Sequence, residues 1–237
     1  MEAKTVGLGV AALIAIAVVG YLFFAQHHPP EPKMAAPVPT EVAQKPVDIP
    51  LPPAAASDAT LRTDFAQVSP KVSGWLAQPD LLDRFASLVN GLAGDESPRK
   101  QLDFLAPKER FSATKGHIDP KSYARYDAAA EAVESVDAQK LVQAVKTVHP
   151  LLESAYHRLG NPNRGFDDAA RAALQRIIDA PVVEGEIAVT PHGANDLFAD
   201  EKLEVLGPVE KQLIRMGPAN EKKLQAKARE ILAAFGK

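Results

Sequence analysis

The chain has 237 residues, of which 46% are hydrophobic and 24% charged, and this composition excludes both wholesale disorder and a protein with several membrane spans. It contains no cysteine, which excludes disulfide frameworks, thiolate metal sites and cysteine nucleophiles. The formal net charge of −3 lacks the basic excess of nucleic-acid-binding domains, so no nucleic-acid partner is expected.

The amino-terminal part contains one long apolar run. Residues 6–25 are 20 consecutive residues without a charge, and at ~1.5 Å per helical residue they span roughly 30 Å, the thickness of a bilayer core. A cleaved secretory signal is the alternative, but a cut after Ala25 would place Phe23 where a small residue is needed. We therefore predict an uncleaved signal anchor behind a short cytoplasmic leader, residues 1–5.

The anchor's orientation and neighbours follow from weaker signals. A first apolar helix with so short a leader commonly keeps its amino end in the cytoplasm, so the large part is expected to be periplasmic, on the outer face of a bacterial inner membrane. Gly7, Ala11 and Ala15 recur at a spacing of four, a pattern that lets two membrane helices approach closely. A weak homodimer through this face and a plain lipid-facing anchor both remain open.

A proline-rich stalk is predicted over residues 26–56. Nine prolines fall within residues 29–53, and proline removes backbone donors and favours extended polyproline II. At ~3.1 Å per residue this stretch could reach roughly 75 Å. Docking of a proline-reading module is the alternative function for the same segment.

From residue 57 onward the apolar spacing is helical. The clearest early case is residues 80–93, where leucine, phenylalanine and valine line one stripe, preceded by a weaker helix over residues 58–68 with Ser57 as its cap. Trp75 lies between them and is interpreted as a core residue rather than a ligand-stacking one. No regular element is predicted over residues 94–117.

The carboxyl-terminal half continues as helices with recognisable ends. Asp119 and Asp137 are predicted N-caps, Pro150 is predicted to break or kink the second of these helices, and Gly160 to end it. Further helices are predicted to open at residues 167–168 and to cover residues 201–206, 209–216 and 220–235. The one β signal is a short strand or hairpin arm with Val182, Val183, Ile187 and Val189 around Gly185. The fold class is therefore mainly α, a globular domain of about seven or eight helices over residues 57–237.

Four blocks of this domain look like a known family. They are SYARYDAAAEAVESVDAQKLV (122–142), LLESAYHRLGNP (151–162), FDDAARAAL (166–174) and FADEKLEVLGPVEKQLIRMGPAN (198–220). The chain resembles a bacterial domain-of-unknown-function family of single-pass, membrane-anchored proteins with an exported helical domain. The resemblance implies this topology, and it implies no catalytic residues because the family has no assigned activity.

Two histidine-containing groups could carry chemistry. His149, Glu153 and His157 stand four residues apart on one helix face, which is conceivable for a metal site, although a solvated polar face is the favoured interpretation. His192, Asp196 and Asp200 could orient a general base, but no nucleophile is identifiable nearby, and a turn with an aspartate capping the next helix is favoured. No catalytic residue, metal or cofactor is predicted, and no Gly-rich phosphate loop follows a strand.

The carboxyl-terminal region separates its charges. Residues 179–204 carry seven acidic side chains against one lysine, whereas residues 208–237 carry seven basic against three acidic ones. We expect the two segments to pack near each other, with a basic face for anionic lipid or an acidic partner as the alternative. Lys211, Arg215 and Asn220 are the predicted binding residues, although a helix stop at Gly217 and a restart capped by Asn220 is the simpler interpretation.

The sequence thus indicates a membrane-anchored envelope protein whose domain binds another envelope protein or a cell-wall component. The alternative is an exported hydrolase that uses carboxylates such as Asp167, Asp168, Glu184 or Glu186 on cell-wall material. That alternative requires two carboxyl groups facing each other across a cleft, roughly 5 to 10 Å apart.

Overall fold

The computed structural model describes residues 49–97, 101–161, 163–192 and 195–236. These residues form ten α-helices and two short antiparallel hairpins, which confirms the mainly α prediction. The predicted membrane segment, the Gly7, Ala11 and Ala15 face and most of the stalk lie outside the described residues. Within the described ranges, no helix is both long enough and apolar enough to cross a membrane.

The helices follow one another along the chain, most of them after short connections. They are α1 (Ala54–Asp64), α2 (Ser73–Leu76), α3 (Leu81–Ala93), α4 (Pro120–Ala124), α5 (Asp127–Glu134), α6 (Ala138–Arg158), α7 (Phe166–Asp179), α8 (Glu201–Glu204), α9 (Pro208–Met216) and α10 (Pro218–Phe235). The two hairpins lie in the longer connections, between α3 and α4 and between α7 and α8. Single 3₁₀ turns cover Pro70–Val72 and Asp103–Leu105. The count exceeds the prediction partly because the helix expected after Asp119 divides into α4 and α5.

The folded region begins before residue 57. Helix α1 starts at Ala54, directly after Pro53, and the predicted cap Ser57 lies inside it and donates its hydroxyl to the Ala54 carbonyl. Upstream, the Ile49 amide donates to Ser154 Oγ at 2.9 Å, and Leu51 packs against the core. The last residues assigned to the stalk, 49–56, are therefore seated on the domain.

Two predicted caps are present. The Asp119 side chain accepts a hydrogen bond from the Lys121 amide with Pro120 at the first helical position, and Asp137 accepts from the amides of Gln139 and Lys140. Each carboxylate satisfies amides that a helix start leaves without intrahelical partners.

Pro150 does not break α6, so of the predicted break or kink the break is wrong. The helix runs without interruption from Ala138 to Arg158 with Pro150 inside it. Proline removes one backbone donor, but Val148 and Leu152 on either side of it are buried in the core and hold both halves in place. The helix ends before Gly160, whose φ of +97° confirms the predicted left-handed residue.

The hairpins differ from the predicted β segment. Strands β1 (Ala113–Thr114) and β2 (His117–Ile118) pair within the stretch that had no assignment, and β3 (Val189–His192) pairs with β4 (Asn195–Phe198). Of the predicted arm around Gly185, only Val189 lies in a strand. The two hairpins are joined because the Ile118 amide donates to Ile187 and the Val189 amide donates to Gly116.

The buried side chains form two clusters. The main core extends from α1 to α10, and α7 lies between α3 and α10. Trp75 is buried in this core as predicted, beside a cavity of about 30 Å³, which has room for roughly one water molecule. The second cluster lies under the hairpins and comprises Ile118, Ile187, Val189, Phe198 and Ile214.

The corner between α9 and α10 requires glycine. Gly217 has φ +84° and ψ 154°, a combination that other residues rarely adopt, and a Cβ at this position would lie 2.5 Å from Tyr123 Cγ. Helix α4, which carries Tyr123, therefore packs directly on the backbone of this corner.

We expect Gly217→Ala to lower the free energy of unfolding by roughly 2 to 5 kcal/mol, because it adds a steric overlap to the backbone strain. Urea unfolding followed by Trp75 fluorescence measures the change. The control is Gly185→Ala, where φ is +86° but no atom lies within 4 Å of the new Cβ, and there only about 1 to 2 kcal/mol should be lost. Equal losses would contradict the close packing of Tyr123.

Candidate functional site

Four ionisable side chains meet where α6 approaches the start of α7, and we refer to His149, Glu153, His157 and Asp167 as the corner cluster. His157 Nε2 lies 3.0 Å from Glu153 Oε1, and His149 Nε2 lies 3.9 Å from Glu153 Oε2 and 3.1 Å from Asp167 Oδ1. The contacts run in sequence from His157 through Glu153 and His149 to Asp167. They form a chain of acidic and imidazole groups that crosses from one helix to the other.

The cluster also caps α7. The residue at the N-cap position of α7 is Gly165, which has no side chain, and Glu153 of α6 accepts the Phe166 amide at Oε2, 2.8 Å away. A carboxylate at a helix amino terminus accepts a hydrogen bond from a free amide and is attracted to the positive end of the helix dipole. The Phe166 ring then packs against Phe85, Tyr156 and His149.

Burial differs along the chain of contacts. The side chains of His157 and Glu153 are 4% and 15% exposed, whereas those of His149 and Asp167 are 36% and 49% exposed. The favoured sequence interpretation, a solvated face, is therefore wrong for His157 and Glu153. A metal site is not supported either, because within the described ranges no group of three or more His, Cys, Asp or Glu side chains could hold an ion.

The pKa values of the outer pair move in opposite directions. The hydrogen bond to Asp167 raises the pKa of His149 above its usual value of 6.5, against the opposing effect of burial. The hydrogen bond to His149 in turn lowers the pKa of Asp167 below 3.8. Each group thus favours the charged form of the other.

The predicted binding residue Arg215 lies in an alternating stack of cations and rings, the arginine stack, comprising Arg125, Phe111, Arg215 and Phe198. The Arg215 guanidinium carbon lies 4.6 Å from the Phe198 ring centre and 5.5 Å from that of Phe111. Arg125 covers the Phe111 ring at 5.6 Å. Arg215 Nη2 also donates to the Asp196 carbonyl at 2.6 Å, and burial lowers its pKa. Such cation–π contacts are strongest when desolvated.

The other two predicted binding residues have contacts within the domain. Lys211 Nζ lies 2.6 Å from Glu204 Oε1. The side-chain Nδ2 of the buried Asn220 shares its two hydrogens among Asp127 Oδ1, at 2.9 Å, and the carbonyls of Tyr123 and Met216, each at 3.1 Å. Asn220 is inside α10, which begins at Pro218, so its predicted role as N-cap is wrong. Anion binding by Lys211 and Arg215 stays a prediction.

The second histidine group is spread along the β3–β4 hairpin. His192 is exposed on β3, and the backbone carbonyl of Asp196 accepts a hydrogen bond from Arg215. Asp200 accepts the Lys202 amide and caps α8 as predicted, whereas His192 and Asp196 lie in the paired strands rather than in a turn.

The carboxylates considered for hydrolysis occupy opposite ends of α7. Asp167 and Asp168 are in its first turn, whereas Glu184 and Glu186 follow its last residue, and 14 helical residues span about 20 Å. Glu184 pairs with Lys222 at the start of α10. The two aspartates therefore do not face the two glutamates at the separation that glycoside hydrolysis needs.

The charge-separated segments do pack together as expected. Lys222 pairs with Glu184 and Lys211 with Glu204, and each pair joins the basic tail to the acidic segment before it.

One buried acid was not found from the sequence. Glu221 is fully buried in the first turn of α10, and neither of its carboxyl oxygens has a hydrogen-bond partner. Burial, with a smaller effect of the nearby Glu184, raises its pKa to about 8. Helical spacing places Glu221 in line with Leu224 and Ala228 on the buried face of α10, so the sequence offered a signal, but spacing could not show that packing leaves this acid without a partner.

We expect Glu221→Gln to stabilise the domain at alkaline pH. Because the folded state holds a proton that the unfolded state releases above about pH 4.5, the wild-type protein loses stability from there up to about pH 8. Glutamine imitates the protonated acid, so the variant should gain on the order of 4 kcal/mol at pH 9 and little at pH 4. Urea unfolding at both pH values measures this gain.

The control for Glu221→Gln is Glu201→Gln at an exposed position of α8. It should change the free energy of unfolding by less than about 0.5 kcal/mol at either pH. A Glu221→Gln effect that does not depend on pH would show that Glu221 is already ionised in the fold.

Of three comparisons with known proteins, one found a match, to a family model. Searches of curated proteins and of solved structures found no match. The model of a family described as "Protein of unknown function (DUF3014)" matches residues 81–232, which extend from the start of α3 into α10 and contain both the corner cluster and the arginine stack. The match covers more than half of the chain, and the protein therefore belongs to the DUF3014 family.

Proposed function

We propose that this protein is a tethered binding protein of the bacterial envelope. Residues 6–25 anchor it in the inner membrane, the proline-rich stalk holds the helical domain away from the bilayer, and the domain binds another envelope protein or a cell-wall component. The role of the domain is to bind or to act as a scaffold rather than to catalyse a reaction.

The order of the segments carries this proposal. An apolar run long enough to span a bilayer is followed by nine prolines within 25 residues and then by a packed helical domain. A semi-rigid spacer is useful when a domain must meet something at a distance from its anchor. Since residues 49–53 are seated on the domain, residues 29–48 remain as spacer and reach up to about 60 Å.

The way the chain enters the domain supports the same view. The Ile49 amide is held by Ser154 of α6, and α1 then packs against α3 and α6. The hairpins and the second cluster belong to other elements, α9 among them. None of the residues of the second cluster is among those that hold the chain entry, and we therefore expect the hairpins to be available for a partner.

The topology is tested by two fusions behind Lys237. We expect a reporter enzyme that is active only after export to be active, and a reporter that works only in the cytoplasm to be silent. Replacing Leu13 and Ile14 with lysines should abolish export, because each charge opposes insertion by about 3 kcal/mol. Activity of the cytoplasmic reporter in the unaltered chain would overturn the proposal.

The stalk is tested by its length. Deleting residues 33–47 removes up to about 45 Å of reach, and we expect in-cell crosslinks between the domain and envelope partners to be lost. A matched variant replaces the same 15 residues with alternating alanine and proline, which keeps the extended conformation, and it should keep the crosslinks. Loss of crosslinks in both variants would instead favour a module that reads the native proline sequence.

A further inference from the structure

We propose that the corner cluster is a pH-sensitive latch between α6 and α7. In mildly acidic conditions the charged His149 imidazole and the Asp167 carboxylate hold the first turn of α7 against α6, and the hold weakens as His149 loses its proton. This inference goes beyond the proposed function, because it does not depend on where the domain resides.

The geometry provides an exposed end and a buried end. His149 and Asp167, 3.1 Å apart, are the solvent-accessible members, so protons can exchange with the solvent there. Glu153 connects this outer pair to His157, which is buried among core residues of α6. A change in charge at His149 therefore changes the electrostatic attraction on Glu153, the group that caps α7.

The latch acts on a turn that has no side-chain cap of its own, although its apolar residues are packed in the core. Gly165 gives α7 no side-chain cap, so the Phe166 amide depends on Glu153 and the Ala169 amide on the Gly165 carbonyl. Phe166 is buried, and its ring joins α6 to α3. Loosening this turn would therefore release an aromatic anchor of the core.

The surrounding charges do not replace the His149–Asp167 pair. Lys146 of α6 and Arg171 of α7 add attraction for Asp167, but smaller than that of His149. On α3, Asp83 is paired with Arg158 at 2.6 Å. The charges that act on His149 itself are those of Asp167 and Glu153. Arg164 and Asp168 act on Tyr156, which packs on Phe166.

The direction of the pH effect follows from the two pKa values. Because the pKa of His149 is raised in the fold, its contribution to stability is complete below about pH 6.5 and is lost as the pH rises through the raised value. Because the pKa of Asp167 is lowered, its contribution is complete above about pH 3.8 and is lost as the pH falls through the lowered value. The latch is strongest between these limits.

Hydrogen exchange of the full-length chain tests the latch. Beyond the loss of stability that ionisation of Glu221 causes throughout the domain, we expect the protection factors of the Phe166 and Ala169 amides to fall about two- to fivefold between pH 5.5 and pH 8, the effect of a partly exposed ion pair. Asp167→Asn should abolish this fall. Asp168→Asn removes a neighbouring exposed charge from the same helical turn and should leave the fall unchanged.

A second measurement does not depend on local opening. In an NMR titration of the histidines, Asp167→Asn should lower the pKa of His149, and Asp168→Asn should not. The proposal is overturned if wild-type protection does not change with pH, if both variants abolish the change, or if His149 titrates identically in wild type and Asp167→Asn.

Discussion

The close packing of α7 between α3 and α10 is the contact on which the rest of the domain depends. Small side chains make it possible, since Ala169, Ala170 and Ala173 are buried on the face of α7 that meets its neighbours. Helices α7 and α10 run antiparallel: Arg171 donates to the carbonyl of Phe235, and Gln225 to that of Ala180. Polar side chains at both ends of the pair thus satisfy carbonyls that a helix terminus leaves without partners.

The amino terminus of α7 has a different requirement, and this requirement produces the most distinctive chemistry in the domain. A glycine at the N-cap position leaves the first amides without a local acceptor, and Glu153 of α6 supplies one. A buried carboxyl group in turn needs compensating partners. His157 and His149 provide them, and Asp167 completes the chain on the solvent side. The corner cluster can therefore be understood as a consequence of how α7 is capped.

The second cluster is built on a different principle. Its elements are two short hairpins and α9, none of which could bury much apolar surface alone, and the arginine stack extends their packing with charged side chains. Flat guanidinium groups can lie against aromatic rings while they still donate hydrogen bonds, as Arg215 does to Asp196. Lysine at either arginine position would lose the stacked geometry. The hairpin region of the domain is thus organised by cation–π contacts as well as by aliphatic packing.

The sequence by itself determined the helical class, the caps at Asp119 and Asp137 and the burial of Trp75, because these depend on spacing and on local hydrogen bonds. It also indicated three of the four corner residues, since His149, Glu153 and His157 are neighbours on one helix. Only the tertiary structure decided that Asp167, 18 residues away from His149, completes the group, that α6 continues through Pro150 and that Glu221 is buried without a hydrogen-bond partner. Each of these depends on how helices pack, and packing energies from distant residues override local preferences that amount to a few kcal/mol at most.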